Sequence, residues 1–254
     1  MIDELKLYVG EKHVINQFIS VNSPTVGDLI FMGENNYFTI LHLLTAIPSD
    51  MKAMLWDMGI CWMDISDFDF FCLLTRNLSS QDTQVFLNDL DLSSMEFGQN
   101  NHTGEHVLYK ELPDGEHVVI DEKIYQQIVK ILRTIHNITP KVEKVNSDAM
   151  KELLVQVNRE DVAKSAKMDK TSTLLPLISS MVNSSRFKYD VRSISNLTYY
   201  AFMDAVNRIN AINNANAMLS GIYGGFVDTS KLDKNQLNWM RDFRKEKQIN
   251  AKSK

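Results

Sequence analysis

From residue 121 to residue 223 the apolar side chains of this chain recur at spacings of three and four, and that period fixes most of what it can fold into. Ile124, Ile128, Ile131, Leu132 and Ile135 line one face of a predicted helix, and Gln126, Gln127, Lys130 and Arg133 occupy the other. Asp121 and Glu122 open it while Lys130, Arg133 and His136 close it, each at the end that the helix dipole favours. Beyond Thr139-Pro140 the pattern predicts helices over residues 147–168, 171–182 (interrupted near Pro176), 195–223 and 234–246. In the third of these, Tyr199, Phe202, Val206, Ile209, Ile212, Ala215, Leu219 and Ile222 mark the buried stripe, and Gly224-Gly225 ends it.

The residues before 121 read differently. Leu5, Leu7 and Val9 alternate with polar residues, a turn follows at residues 10–12, and residues 14–21 are rich in β-formers, which predicts a hairpin. Ser23-Pro24 opens a short helix that Gly33 stops. Further helices are predicted over residues 36–47, 51–58 (closed by Gly59), 67–77 and 81–87, and residues 89–92 alternate like a strand. Residues 98–106 form a loop. Residues 107–112 and 117–120 flank Pro113-Asp114-Gly115 as a second hairpin. The expected fold class is therefore α+β and predominantly helical, with two β-hairpins and short helices followed by an all-helical part.

Charge divides the chain in the same place. The net charge of −5 is a cancellation: residues 1–140 carry 8 Lys and Arg against 20 Asp and Glu, and residues 141–254 carry 19 against 12. The two halves thus hold −12 and +7, which predicts an acidic α+β part (1–140) and a basic helical part (141–254), either separate or packed as one unit. Opposite charges suit halves that attract each other or meet different partners; two solvated faces of one sign explain them equally well. An acidic chain whose lysines are dense only in the last residues argues against nucleic acid as a partner. The longest apolar run, residues 37–47, holds 11 residues and contains His42, so no membrane span is expected. The acidic start lacks the basic opening of a secretory signal. A soluble protein of the cytoplasm is the expectation.

Candidate chemistry is sparse. His102, Glu105, His106 and His117 are zinc-ligand types, but they fall in a loop without the helical spacing of a metalloprotease motif, and ordinary exposed histidines account for them. Asp57, Asp64, Asp67 and Asp69 crowd one region, yet Asp67 fits a helix cap and Asp69 a first turn. Residues 89–100 lack the glycine and the final glutamate of a calcium loop. Cys61 and Cys72, the only cysteines, sit among aromatics and read as structural thiols. Residues 221–226 are glycine-rich without a phosphate-loop lysine, and no nucleophile elbow or dinucleotide fingerprint is present. The expectation is a chain with no catalytic residue, cofactor or metal.

Two features point instead to surfaces. Met51, Met54, Trp56, Met58, Trp62 and Met63 crowd thirteen positions. Methionine packs adaptably, so the set suits a core with some of the patch left for a partner. On the long helix, Asn207, Asn210 and Asn214, with Asn213 and Asn216 beside them, form a stripe. Solvent is its expected neighbour, an interhelical contact the alternative.

The segments SPTVGDLI (23–30), PSDMKAMLWDMG (48–59) and ISDFDFF (65–71), with SGIYGGFVDTSK (220–231) and LNWMRDF (237–243), carry a family resemblance. Together the chain resembles morphogenesis proteins of tailed bacteriophages and prophages of low-GC Gram-positive hosts. The resemblance implies a non-enzymatic role in tail assembly: a chaperone for the tape-measure or another tail protein, or a structural tail, baseplate or neck component in a symmetric ring. Its implied partners are other tail proteins and copies of itself. With Trp239 in the second block, the candidate partner-binding residues are Met51, Met54, Trp56, Met58, Trp62, Met63 and Trp239.

Overall fold

Two compact units account for the computed structural model, which describes residues 2–100, 103–167, 171–226 and 234–243. The first comprises Met1–Pro24 and Asp28–Thr171; the second comprises Thr25–Gly27 and the chain from Ser172. Charge separates along this division as it does at Pro140: the first unit carries 15 Lys and Arg against 26 Asp and Glu, the second 12 against 6. Residues 141–171, which follow Pro140, belong to the first unit.

The first unit opens on a helix where alternation predicts a strand. In α1 (Glu4–Val9), Asp3 accepts from Leu5 N and Lys6 N, and Gly10 closes the helix at φ 91°. Only Leu7 enters the core, while Leu5 and Val9 stay exposed, so the three apolar residues do not share a face. A cap at each end therefore outweighs the alternation. The hairpin exists but is shorter: β1 (His13–Val14) pairs antiparallel with β2 (Ser20–Val21), and the Asn16 side chain accepts from Phe18 N and Ile19 N in the turn. After α2 (Val26–Met32) come α3 (Glu34–Thr45), a 3-10 turn (Pro48–Met51), α4 (Lys52–Asp57), α5 (Asp67–Thr75) and α6 (Ser80–Leu87).

Residues 89–92 do not form the predicted strand. Asp91 accepts from Ser93 N and Ser93 Oγ and so caps a 3-10 turn, Leu92–Ser94, with Leu92 buried beneath it. The strand starts later. β3 (Glu96–Gln99), β4 (His106–Glu111) and β5 (His117–Ile120) form an antiparallel sheet in chain order, so Gly98, Gln99 and His106 of the predicted loop are strand residues, while its residues 101–102 lie outside the described residues. Gly115, at φ 81°, makes the β4–β5 turn where Pro113-Asp114-Gly115 predicts it. Val118 and Ile120 face inward and His117 and Val119 outward.

Helix α7 (Glu122–His136) follows, capped by the Asp121 side chain on Ile124 N and ended by Asn137 at φ 53°. It buries Tyr125, Ile128, Val129, Ile131, Leu132 and Ile135 against α3 and β5. Helix α3 adds Tyr37, Ile40, Leu41 and Leu44, and α5 adds Phe68, Phe70 and Phe71; these three helices hold the main core. Arg133 reaches across to donate to Thr45 O from Nε (3.2 Å) and Nη2 (2.7 Å), satisfying an end carbonyl of α3. Helix α8 (Asp148–Lys167) completes the unit by packing on α4. Its predicted end at Met168 lies outside the described residues.

In the second unit, α9 (Leu174–Val182) carries Pro176 without interruption. The proline is the third helical residue, where a backbone N–H has no intrahelical acceptor to lose. Helix α10 (Tyr199–Tyr223) starts four residues later than predicted, because Thr198 rather than Ser195 supplies the cap, accepting from Ala201 N. Thr25 pairs with Thr198, Val26 N donates to Leu197 O at 2.9 Å, and an added Cβ on Gly27 would stand 2.8 Å from Ser195 O. A final 3-10 turn (Lys234–Leu237) packs on α10 in place of the predicted helix, whose residues 244–246 fall outside the described chain. The asparagine stripe, Asn207, Asn210, Asn213, Asn214 and Asn216, is exposed to solvent.

Candidate interaction site

Met51 ends the 3-10 turn that precedes α4, Met54 and Trp56 sit on α4, and Trp62 and Met63 occupy the turn before α5. Pro48 starts the turn and Gly59, at φ 77°, ends the helical stretch, so these side chains are delivered from one compact corner. They join a cluster built on Ala46, Ala53, Leu55, Trp62, Phe70 and Val155, with Met51, Met54, Trp56 and Met63 packed against it. Trp62 is 2% exposed. Met58 points out to solvent instead. Trp239 is in the second unit, half exposed, and does not join the set.

What covers this corner comes from far along the chain. Residues 143–145 lie across it as an irregular strap. Glu143 N donates to Ser49 Oγ at 3.1 Å, Trp62 Nε1 donates to Glu143 O at 3.0 Å, and Val145 N approaches Met63 Sδ at 3.5 Å. Lys52 is buried, and its ammonium donates to Ser49 O and to Glu143 Oε2, both at 2.7 Å. Lys141 binds the other carboxylate oxygen of Glu143 at 2.7 Å. Hydrogen bonds from Lys141 and then Lys52 hold the Glu143 carboxyl below the usual carboxylate range.

Helix α8 then seats Val155, 1% exposed, in the cluster. Asn158 Oδ1 accepts from Ala53 N at 3.1 Å while its Nδ2 donates to Asp50 O at 3.2 Å. Arg159 pairs with Asp57. Of the 20 residues of α8, Val155 is the one that is fully buried, and residues 159–167 are all exposed.

The other sequence candidates separate. His102 lies outside the described residues. His106 Nδ1 meets Asp69 Oδ1 at 2.6 Å, tying β4 to the first turn of α5, while Glu105 and His117 are exposed. Asp57 faces Arg159, and burial pushes the Asp67 carboxyl up, opposed by Arg133. Among the described residues no group of three or more His, Cys, Asp or Glu is placed to hold a metal ion. Burial raises the Cys72 thiol to about 12, which leaves it protonated and unreactive at neutral pH. No described helix is long and apolar enough to cross a membrane.

Composition gave no signal for the side chains that are most exposed. In the first unit these include Phe31 (88%), Leu5 and Val9. Phe31 and Gly10 line one open depression with Asp28 and Val85. In the second unit Tyr223, Phe226 and Met240 stand out, Met240 beside Trp239. The Trp239 turn is held from α10: Arg208 Nη1 donates to Trp239 O (2.9 Å) and Arg241 O (2.8 Å), and its guanidinium lies 4.6 Å from the centre of the Phe243 ring. Because Arg208 takes the backbone, both side chains of the Trp239-Met240 pair are left outward.

Neither the curated proteins nor the solved structures include a match to this chain. Residues 165–244 match the family described as YomV second domain, which points to a phage-derived protein family. The matched range begins in the last turn of α8 and runs through the described part of the second unit, so Arg208, Trp239 and Met240 lie inside it and the Met and Trp corner of α4 lies outside.

Proposed function

We propose that this protein is a non-enzymatic morphogenesis factor of a tailed phage, an assembly chaperone that binds the tape-measure or another tail protein in the cytoplasm of the bacterial host. The observation that carries the reading is the covered apolar corner: a Met and Trp cluster closed by a helix that buries one side chain in it. Methionine-rich surfaces repack against different partners, and a cover joined to the fold by an exposed linker lets such a surface be offered and withdrawn. The family match supports the phage setting. Phe31, Trp239 and Met240 supply further exposed apolar area.

Mass spectrometry of purified particles tests it. A chaperone is absent from finished particles and is recovered with the tape-measure protein from infected cells; stoichiometric copies in the particle would overturn it. The charge separation favours a second reading, a ring component of the tail, baseplate or neck in which acidic and basic units of neighbouring copies meet head to tail. Stoichiometric copies would support that reading instead.

A further inference from the structure

We infer that α8 with its strap is an exchangeable arm: α8 of a second copy takes the place of the chain's own α8 on the α4 corner, giving arm-swapped oligomers. Three observations lead there. The corner cannot be left bare, because without α8 the apolar cluster around Ala53, Leu55 and Trp62 would face water. The seat is also matched to α8: Asn158 answers both Ala53 N and Asp50 O, and Arg159 answers Asp57, at fixed positions around Val155. A second copy supplies all of these groups in the same register.

The third observation is how the arm is joined. Residues 139–142, between α7 and the strap, are exposed and have no regular structure. Asn137 closes α7 in the left-handed region, and Ile138 N returns to Arg133 O, so the hinge begins at a fixed point and is open beyond it. Glu143, Val145, Val155, Asn158 and Arg159 all lie on the arm, so every contact broken on leaving re-forms on the neighbour. The exchange has almost no cost in contacts at equilibrium, and the condition for a swapped dimer is met. This inference needs only the α4–α8 seat and a second copy, and its test uses the purified chain with no tail protein present.

The test uses full-length chains with Cys61→Ala and Cys72→Ala. One chain adds Ala53→Cys, a second adds Asn158→Cys, and a third carries both, since Ala53 N and Asn158 Oδ1 are 3.1 Å apart. Mixed and oxidised, the two single-site chains are expected to give a disulfide-linked dimer that grows with protein concentration and incubation time. The double-site chain should close within one chain at low concentration and between chains at high concentration. An intrachain bond in the double-site chain, with no dimer from the mixed single-site chains at any concentration, would overturn the inference. So would failure of the double-site chain to close at all. Shortening the hinge by removing Thr139 and Pro140 gives an independent readout: the arm then reaches a neighbour more easily than its own seat, and light scattering should report dimers. A folded monomer would count against exchange.

Discussion

Lys52 is a charged residue that the fold buries. Its ammonium is enclosed with Ser49 O and the Glu143 carboxylate, a partner 91 positions away. Glu143→Ala would leave that charge buried with one backbone acceptor, and is expected to lower stability by about 2–4 kcal/mol. Replacing both partners, as in Lys52→Met with Glu143→Leu, should recover most of the loss; urea denaturation midpoints decide. His136 is a second case. Tyr37 Oη lies 2.7 Å from its Nε2 and its Nδ1 lies 2.8 Å from Leu132 O, so the neutral ring, donating from Nδ1 and accepting at Nε2, fits both partners. Burial lowers its pKa to about 4 from the ordinary 6.5. Between those values the unfolded chain binds a proton that the native one does not, so stability falls as pH drops from 6.5 to 4 and this contribution levels off below. The loss is about 3 kcal/mol. His136→Gln should flatten the acid slope of denaturation midpoints even though it lowers the value at pH 7.

Elements show where sequence reading succeeds and where physics intervenes. Helix α7 is legible because a strong period, a cap at Asp121 and a stop at Asn137 all agree. Helix α1 is misread because six residues hold too little period to outvote an accidental alternation, and the decision falls to Asp3 and Gly10. The α4 corner is half legible: its methionines and tryptophans stand together in sequence, but their cover arrives from Glu143, Val155 and Asn158, which no local pattern connects to them. The exposed Trp239-Met240 pair depends likewise on Arg208, 31 positions earlier than Trp239. A prediction at this scale concerns Gly27, where a side chain would meet the Ser195 carbonyl. Gly27→Ala is expected to destabilise the second unit by about 1–3 kcal/mol. Hydrogen exchange should quicken in α10 while the sheet of the first unit keeps its protection.

At the scale of the whole molecule, charge is the property that the sequence displays most openly and the fold keeps. The first compact unit, which runs to Thr171, carries a net −11, and the second carries +6. Self-association through those units should weaken as salt rises, because exposed charges are screened within about 10 Å at 0.1 M salt. Sedimentation at low and high ionic strength measures this. Arm exchange, whose seat is an apolar cluster, should persist at high salt, and the two modes of association are thereby separable.

Helix α10 adds a constraint of length. Its first turns bury Tyr199, Phe202, Val206 and Ile209, and its later ones Ala211 and Ala215. Phe202 and Ala211 stand nine residues apart, as do Val206 and Ala215. At 3.6 residues per turn each such pair falls on opposite sides of the rod. Three successive steps of three, from Val206 through Ile209 and Ile212 to Ala215, write this reversal into the sequence. The helix is therefore a phased spacer as well as a packed one. One residue inserted after Asn210 would rotate the later half by about 100° and turn Ala211 and Ala215 off their neighbours, although no side chain had been altered. Seven inserted residues, close to two whole turns, would restore the phase. Thermal denaturation of the two insertion variants should show the longer one to be the more stable.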